Sequence, residues 1–539
     1  MRRVFLAFLG LPWYYGGMKR TSLENRITTW WQTEKGLLLL CLGAVFFWGL
    51  AAHAYGFLRS SLSHDMLNAF VVSDVETYWK MQLGQPGIVL YRRIFRGLIA
   101  APWQLGLLSL LWLGLSCYVT ASLLRVPGKL FPVLLAGILT VNLSVTAGAA
   151  TYLYELDADL FGMLLGVLAV LLWERGGRWG AAAGVLLTAA CMGTYQSMVS
   201  VPVTLIMLLS MAALLRGEGF GPVFRKGLRA IAMLLLGALL YWLLVQLMCA
   251  LKHINLTADS YNSLAGAEAP LSIADRFANV YRTWAAAFWN PSTNHIEPLV
   301  LWLNILLPLS GLIPLASWLF GKRAGTAEKL LFLALLLLLP LGMNTAQLAF
   351  SRDVHDLMEH AFWLFYLLCL LPLFLLEVRS LQKALAAVLA LLLLYSGVQT
   401  ANIVYTKKHL EEQACLSLMT RVMGRLETEE SYVSGETPLV FVGVSPELNQ
   451  KLPGFEAYND IEGCWTANPL NKSTATYYFN TYAAYLRWVL NSPAVTADTG
   501  TWTALQTDPR VLAMPCYPAD GCIRDLDGVF VIKLGETEP

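Results

Sequence analysis

The chain has 539 residues, of which 57% are hydrophobic and 14% are charged, and its mean hydropathy is +0.55. This composition excludes an ordinary soluble protein, because too few charges remain to cover its surface, and it predicts a protein that crosses a membrane many times. The formal net charge of +2 argues against nucleic acid as a partner.

Residues 1–35 precede the first long apolar run. Residues 4–11 are apolar, but Pro12 and Trp13 interrupt them and no small-residue cleavage site follows, so we predict no secretory signal. The segment also holds four cations, which are Lys19, Arg20, Arg26 and Lys35. We interpret residues 1–35 as a cytoplasmic arm whose aromatic side chains contact the membrane surface.

Eleven apolar runs have the length of about 20 residues that a helix needs to cross the hydrocarbon core. They lie near residues 36–58, 104–124, 130–150, 156–173, 179–196, 197–215, 228–251, 298–320, 327–347, 360–377 and 382–404. The division at 196/197 has an alternative, because residues 180–215 also fit one kinked helix. We expect an all-α polytopic membrane domain over residues 36–405.

The charges between these runs predict the orientation of the chain. The short connections on the side of the N-terminal arm are all basic, with Arg125, Lys129, Arg175, Arg178, Arg216, Arg225, Lys226, Arg229, Lys322, Arg323, Lys329, Arg379 and Lys383. Under the positive-inside rule this side is cytoplasmic. The outer segments are then 59–103, 151–155, 194–197, 252–297, 348–359 and the residues after 404.

Ionisable side chains collect in these outer segments or just beside them, and ionisable groups at a membrane boundary point to function. They include His64 and Asp65 in the first segment, and the further residues Arg92, Arg93, Arg96, Glu155, Asp157, Asp159, Lys252, Arg352, Asp353, His355, Asp356, Glu359 and His360. The three arginines in this set lie outside against the charge rule and need another explanation.

For each set of these residues, the sequence also allows a purely structural role. Asp65 is either a general base, assisted by His64, or the N-cap of the following helix. The carboxylates of Glu155, Asp157 and Asp159 would be stabilising at a helix N-terminus, but three carboxylates are more than capping requires.

Three other groups are equally open. The ten residues 351–360 are either part of a site or a solvated loop. Arg92, Arg93 and Arg96 suit either lipid headgroups or a substrate phosphate. The Tyr195–Gln196 pair suits either sugar hydroxyls or a contact between helices.

Residues 406–539 are more polar. Strands are predicted at 439–444 and 528–534, and a helix at 474–490, which together indicate a small α/β domain. The helix has an aromatic face of Tyr477, Tyr478, Tyr482, Tyr485 and Trp488. This domain holds Cys415, Cys464, Cys516 and Cys522, which leave disulfides open if it faces an oxidising space.

Five short motifs occur in order along the chain. They are Ser-His-Asp-Met-Leu-Asn (63–68), Leu-Gly-Gln-Pro with Tyr-Arg (83–92), Tyr-Leu-Tyr-Glu-Leu-Asp-Ala-Asp (152–159), Gly-Thr-Tyr-Gln-Ser (193–197) and Val-His-Asp-Leu-Met (354–358). Together they resemble the GtrII-type integral membrane glucosyltransferases. Relatives often have arginine where this chain has Gln85.

The resemblance implies a GT-C-like membrane domain with an outer-face active site and a C-terminal extracytoplasmic domain. It implies inverting transfer of a hexose, expected to be glucose, from a polyprenyl-phosphate donor to a surface glycan or a teichoic-acid-like polymer, with Asp65 as general base. The aromatic helix of the tail is expected to hold the acceptor. No metal-ligand spacing occurs, and the carboxylates leave a divalent cation open.

Roles follow for the other residues. Beside Asp65, the catalytic set is His64, Asp157, Asp159, His355 and Asp356; the donor phosphate is expected to contact Arg92, Arg93, Lys252 and Arg352; and the sugar or acceptor is expected to contact Glu155, Tyr195 and Gln196. Two rival functions are a flippase for a lipid-linked sugar, which would need charges near the bilayer midplane, and a scaffold that displays the tail domain.

Overall fold

The computed structural model describes residues 23–59, 63–69, 71, 73–97, 99, 101–256, 272–290, 298–322, 324–350, 354–443, 445, 454–455, 458 and 475–536. Within helices, only the backbone is described for residues 23–27, 64–65, 68, 75, 350 and 475–480. The N-terminal arm up to residue 22, Arg352 and Cys464 lie outside the described residues.

The first half of the chain folds into a long helix, a set of short helices in the first predicted outer segment, and a buried bundle. The helices are α1 (Leu23–Arg59), α2 (His64–Ala69), α3 (Asp74–Gln82), α4 (Pro86–Phe95), α5 (Pro102–Leu124), α6 (Leu130–Thr140), α7 (Leu143–Thr151), α8 (Leu153–Arg175), α9 (Gly177–Thr194) and α10 (Ser200–Leu215). Helix α8 lies at the centre, packed against α5, α9 and α10.

The second half adds more peripheral helices and the tail domain. It contains α11 (Phe220–Lys252), α12 (Ile273–Trp289), α13 (Pro298–Phe320), α14 (Thr326–Met343), α15 (Thr345–Phe350), α16 (Phe365–Leu375), α17 (Ser380–Leu426), β1 (Pro438–Val442), α18 (Ala475–Trp488), β2 (Val495–Thr496), α19 (Thr499–Gln506), α20 (Pro509–Leu512), β3 (Ile523–Leu526) and β4 (Val529–Lys533). Short 3₁₀ helices lie at Gln196–Val199, Asp356–Met358 and Phe362–Leu364.

The predicted eleven spans are not confirmed. Within the described ranges, eight helices are long and apolar enough to cross a membrane, or nine if the bent pair α6–α7 is one span. The predicted run 360–377 contains the 3₁₀ helix Phe362–Leu364 and the short helix α16, which together are too short to be counted as a span, and the glycine-rich α9 is not among the eight.

Asn142 divides the predicted run 130–150 into α6 and α7, which meet at 41°. Its amide donates to the carbonyls of Ile138 and Leu139, while its side-chain oxygen accepts from the Val145 amide at 3.0 Å. One side chain therefore satisfies the end of one helix and caps the start of the next.

The tail domain is a four-stranded sheet of order β2-β1-β4-β3, in which β1 is parallel to β2 and β4, and β3 is antiparallel to β4. Alternate residues cover its two faces. Leu439 and Phe441 pack towards α17 and α18, while Val440 and Val442 pack towards Trp502 of α19. The predicted strands and helix are confirmed, and α17 runs without a break across the expected domain boundary at 405/406.

Helix α2 contacts both parts of the protein. Met66 and Ala69 belong to the hydrophobic core of the membrane bundle, whereas Leu67 belongs to the core formed by α17, α18 and the sheet. The short helix that carries His64 and Asp65 is therefore fixed between the bundle and the tail domain.

Candidate functional site

Three segments that are distant in sequence attach to α7. The Ser63 hydroxyl donates to the Thr151 carbonyl at 2.5 Å, and the Lys408 ammonium donates to the Ala150 carbonyl. Both carbonyls belong to the last turn of α7, where intrahelical donors are lacking and a cation is favoured. At the other end of α7, the Ser144 hydroxyl donates to the Asp356 carbonyl at 2.5 Å.

The short length of α7 brings these segments together. Ser144 and Thr151 are about 10 Å apart along the axis, at 1.5 Å per residue. Helix α8 begins after the single residue Tyr152, so its acidic first turns lie at the same end of the bundle. The first loop, the 354–360 segment and the start of α8 are therefore neighbours around α7.

A buried charge cluster links the first loop to α8. Arg92 pairs with Glu155 at 3.0 Å and also with Glu76, and Lys80 pairs with the same oxygen of Glu155. The Arg92 and Lys80 side chains are nearly inaccessible to solvent. Buried charges of this kind require partners, and the cluster supplies them from three helices, α3, α4 and α8.

Asp157 lies in the second half of the same cluster. It accepts a hydrogen bond from the Tyr91 hydroxyl at 2.9 Å and pairs with Arg96 at 3.2 Å. The Tyr91 hydroxyl in turn accepts from the Trp112 indole at 2.9 Å. Asp157 is fully buried, so its carboxylate holds α4 against α8.

The cluster contains unused hydrogen-bonding capacity. Among the described residues, Asp159 Oδ1, Arg92 Nε, and Nε and Nη2 of Arg96 are buried without a hydrogen-bond partner. The carboxylates Glu76, Glu155, Asp157 and Asp159 outnumber the cations Lys80, Arg92 and Arg96 by one. Buried groups left in this state are uncommon and mark a candidate functional position.

Burial and pairing in the cluster shift the pKa values of Arg92, Arg96 and Tyr91. Burial acts to lower the pKa of Arg92, but Glu155 and Glu76 raise it above its ordinary value. Burial lowers the pKa of Arg96 more than Asp157 raises it. Burial and the Asp157 charge raise the pKa of Tyr91, which keeps its hydroxyl protonated as a donor.

Gln196 is occupied by contacts between helices. Its amide nitrogen donates to the Leu83 carbonyl at 2.7 Å and to the Tyr241 hydroxyl at 3.0 Å, and its oxygen accepts from Gln85 at 3.2 Å. Tyr195 is also buried. These contacts favour the structural alternative for this pair, and they place Gln85 against the 3₁₀ helix Gln196–Val199.

The other predicted residues have varied surroundings. His64 and Asp65 begin α2, with only their backbone described. Arg93 and Lys252 are exposed, and His355 and Asp356 are half-buried in the 3₁₀ segment.

In the same segment, His360 is buried. Its Nδ1 has no hydrogen-bond partner in the described part of the chain. Burial lowers its pKa to about 4, so the ring is neutral at pH 7.

Sequence reasoning missed three cations. Lys80 is paired inside the cluster, and Lys407 and Lys408 are buried in the half of α17 that leads to the tail domain, where Lys407 pairs with Glu411. The sequence does contain a signal for these lysines. All three lie in predicted outer segments, where the positive-inside rule disfavours cations, as Arg92 does.

Metal binding receives no support from the described side chains, which form no group of three or more metal-type ligands. The aromatic helix also differs from expectation, since Tyr482 and Tyr485 are buried in the core of the tail domain. Trp488, at the end of α18, is 42% exposed.

Comparison with known proteins identifies the family. A search of curated proteins and a search of solved structures each return no match. The family model described as glucosyl transferase GtrII matches residues 54–408. This region is more than half of the chain and contains α2, α7, the charge cluster and Lys408. The chain therefore belongs to the GtrII glucosyl transferase family.

Proposed function

We propose that the chain transfers glucose from a polyprenyl-phosphate donor to a surface glycan at the outer membrane face. Family membership supports glucosyl transfer, and the predicted orientation supports the outer face. The observation that carries the proposal is the convergence of the first loop, the start of α8 and the 354–360 segment around α7.

In the proposed reaction, the Asp65 carboxylate takes the proton of an acceptor hydroxyl. The hydroxyl oxygen attacks the anomeric carbon of the glucose from the face opposite the phosphate. The bond between that carbon and the phosphate oxygen breaks, and polyprenyl phosphate leaves with the electron pair. One displacement of this kind inverts the anomeric configuration.

The donor phosphate is assigned to cations with unused donors. Arg92 already pairs with Glu76 and Glu155, so we assign it to holding the loop. Arg96 has two buried nitrogens without partners, and Arg93 is exposed on the same short helix. A guanidinium group suits phosphate oxygens, and the leaving charge is best stabilised by donors that are already in place. Lys252 and Arg352 remain predicted contacts at the edge of the site.

Glu155 and Asp157 are assigned to positioning. Each carboxylate pairs with a cation from the first loop, so neither is free for proton transfer in this arrangement. Asp159, His355 and Asp356 remain the predicted neighbours of the reacting groups. The tail domain is the proposed acceptor support, with Trp488 as its exposed aromatic side chain.

The test is glucose transfer by the purified full-length protein in detergent, with polyprenyl-phosphate glucose as donor and glycan isolated from cells that lack the protein as acceptor. The proposal predicts glucosylated glycan and release of polyprenyl phosphate in equal amounts. A flippase would show no product in detergent, because no membrane separates donor from acceptor. Absence of both products would contradict the proposal.

A further inference from the structure

A basic cavity lies at the end of the bundle opposite the charge cluster. It has a volume of about 700 Å³ and lies between the end of α8, the start of α9 and the start of α11. Arg178, Arg225, Lys226 and Arg229 line it, and Glu174 is the one carboxylate among its described lining residues. All four cations are exposed, and Lys226 pairs with Glu174. The three arginines therefore leave an excess of positive charge that is open to a ligand.

The positions of these residues on α9 and α11 bring their positive charges to the same cavity. Arg225 and Arg229 are four residues apart on α11 and therefore share a face. Gly177, the first residue of α9, also lines the cavity, and the N-cap Gly176 offers no side-chain acceptor. The amide groups of a helix N-terminus favour an anion, which adds to the four cations.

The positive-inside rule alone does not explain this arrangement. Other basic residues at this end satisfy helix carbonyls: Arg175 donates to Ser122 at 2.7 Å, Lys329 donates to Gly321 at 2.7 Å, and Arg216 donates to Leu124. Within the cavity, Arg225 likewise donates to the Gly221 carbonyl at 3.2 Å, and Arg178 lies over the Trp179 ring. Arg178 and Arg229 nevertheless make no hydrogen bond or ion pair with any residue that the structure describes. Their charges are available to a partner outside the chain.

The surface next to the cavity indicates the kind of molecule to which the anionic group belongs. Beyond Arg229, the same face of α11 exposes Leu236 and Leu243, which follow Arg229 by seven and fourteen residues and are 54% and 49% exposed. A phosphate in the cavity would thus have hydrocarbon surface directly beside it.

We infer that this cavity binds a phosphate group, and that the group belongs to an anionic phospholipid whose acyl chains lie along α11. This inference does not depend on the proposed glucosyl transfer.

The test uses the full-length protein in detergent, titrated with short-chain phosphatidylglycerol and followed by native mass spectrometry. The double variant R225Q/R229Q should weaken phosphatidylglycerol binding about 25-fold, since each cation near an anionic headgroup contributes roughly fivefold. Phosphatidylcholine of equal chain length should bind weakly to both proteins.

The matched control is R379Q/K383Q, which removes the same charge at the same end of the bundle but outside the cavity. It should leave phosphatidylglycerol binding within about twofold of wild type, because surface charge far from the site is screened. Equal losses in the two double variants, at unchanged melting temperature, would overturn the inference. Inorganic phosphate that competes as well as the lipid at equal concentration would assign the cavity to a soluble anion and overturn the lipid assignment.

Discussion

The arginines of the first loop differ in their surroundings although they are close in sequence. Arg92 is buried and holds two carboxylates, whereas Arg93 is exposed. Sequence reasoning placed both at a substrate phosphate, because both violate the charge rule. Only three-dimensional packing separates a cation that supports the site from one that faces out of it.

Removing the Arg92 charge should destabilise the protein strongly. Arg92→Gln leaves Glu155 and Glu76 without this partner in a buried site, which typically costs about 3–5 kcal/mol. The control Arg93→Gln changes an exposed side chain and should alter the free energy of unfolding by less than about 0.5 kcal/mol. Denaturant unfolding in detergent measures both, and equal losses would refute the structural role of Arg92.

His360 should make stability depend on pH. Its pKa is 6.5 when exposed and about 4 in the folded protein, so the unfolded state binds the proton more readily. Its contribution to stability is complete above pH 6.5 and is lost as the pH falls towards 4. His360→Gln should therefore lose less stability than wild type over this interval, whereas the exposed control His253→Asn should follow wild type. Parallel curves for His360→Gln and wild type, from melting temperatures, would contradict the assignment.

At the scale of elements, the contact between α4 and α9 fixes the charge cluster. An ideal Cβ on Gly87 would lie 2.6 Å from the carbonyl group of Gly193, which is closer than real side chains approach. Glycine at position 87 therefore allows two helix backbones to touch. Helix α4 carries Tyr91 and Arg92, so this contact also positions them.

Gly87→Ala should separate these helices. We expect a loss of about 1–3 kcal/mol in unfolding free energy, typical of overpacking, together with lower transfer activity. The control Gly43→Ala lies in α1 with nothing within 4 Å of its new Cβ, and it should be neutral or stabilising. A Gly87→Ala protein as stable and active as wild type would exclude a close α4–α9 contact.

The sequence predicts the positions of helices and strands better than it predicts which residues contact one another. Hydropathy locates the long helices, and the strands and helix of the tail follow from residue pattern. It does not predict that Asn142 breaks a span, nor that Lys80 pairs with Glu155. Such pairs depend on packing between segments that are distant in the chain, which periodicity does not contain.

At the scale of the whole molecule, charge asymmetry predicts that the charge cluster and the tail domain lie on the outer side. Helix α17 joins the bundle to the tail domain without interruption, and α2 contacts both. A single orientation must therefore hold for the site and the tail domain together.

Labelling of intact cells should confirm this orientation. Val433→Cys, exposed at the start of the tail domain, should react with a membrane-impermeant maleimide from outside. Trp179→Cys, exposed at the basic end, should react only after permeabilisation. Peptide mapping by mass spectrometry reads both positions, and the reverse pattern would invert the proposed topology.

The most direct measurement of the central claim is the rate of glucose transfer by purified Asp65→Asn, compared with Asp74→Asn. Asp74 is an exposed carboxylate in the same loop and serves as the matched control. The account predicts that Asp65→Asn, at normal abundance and melting temperature, loses about 10²–10⁴-fold in rate, as expected for a missing general base, while Asp74→Asn retains it. Transfer by Asp65→Asn at the wild-type rate would contradict the account.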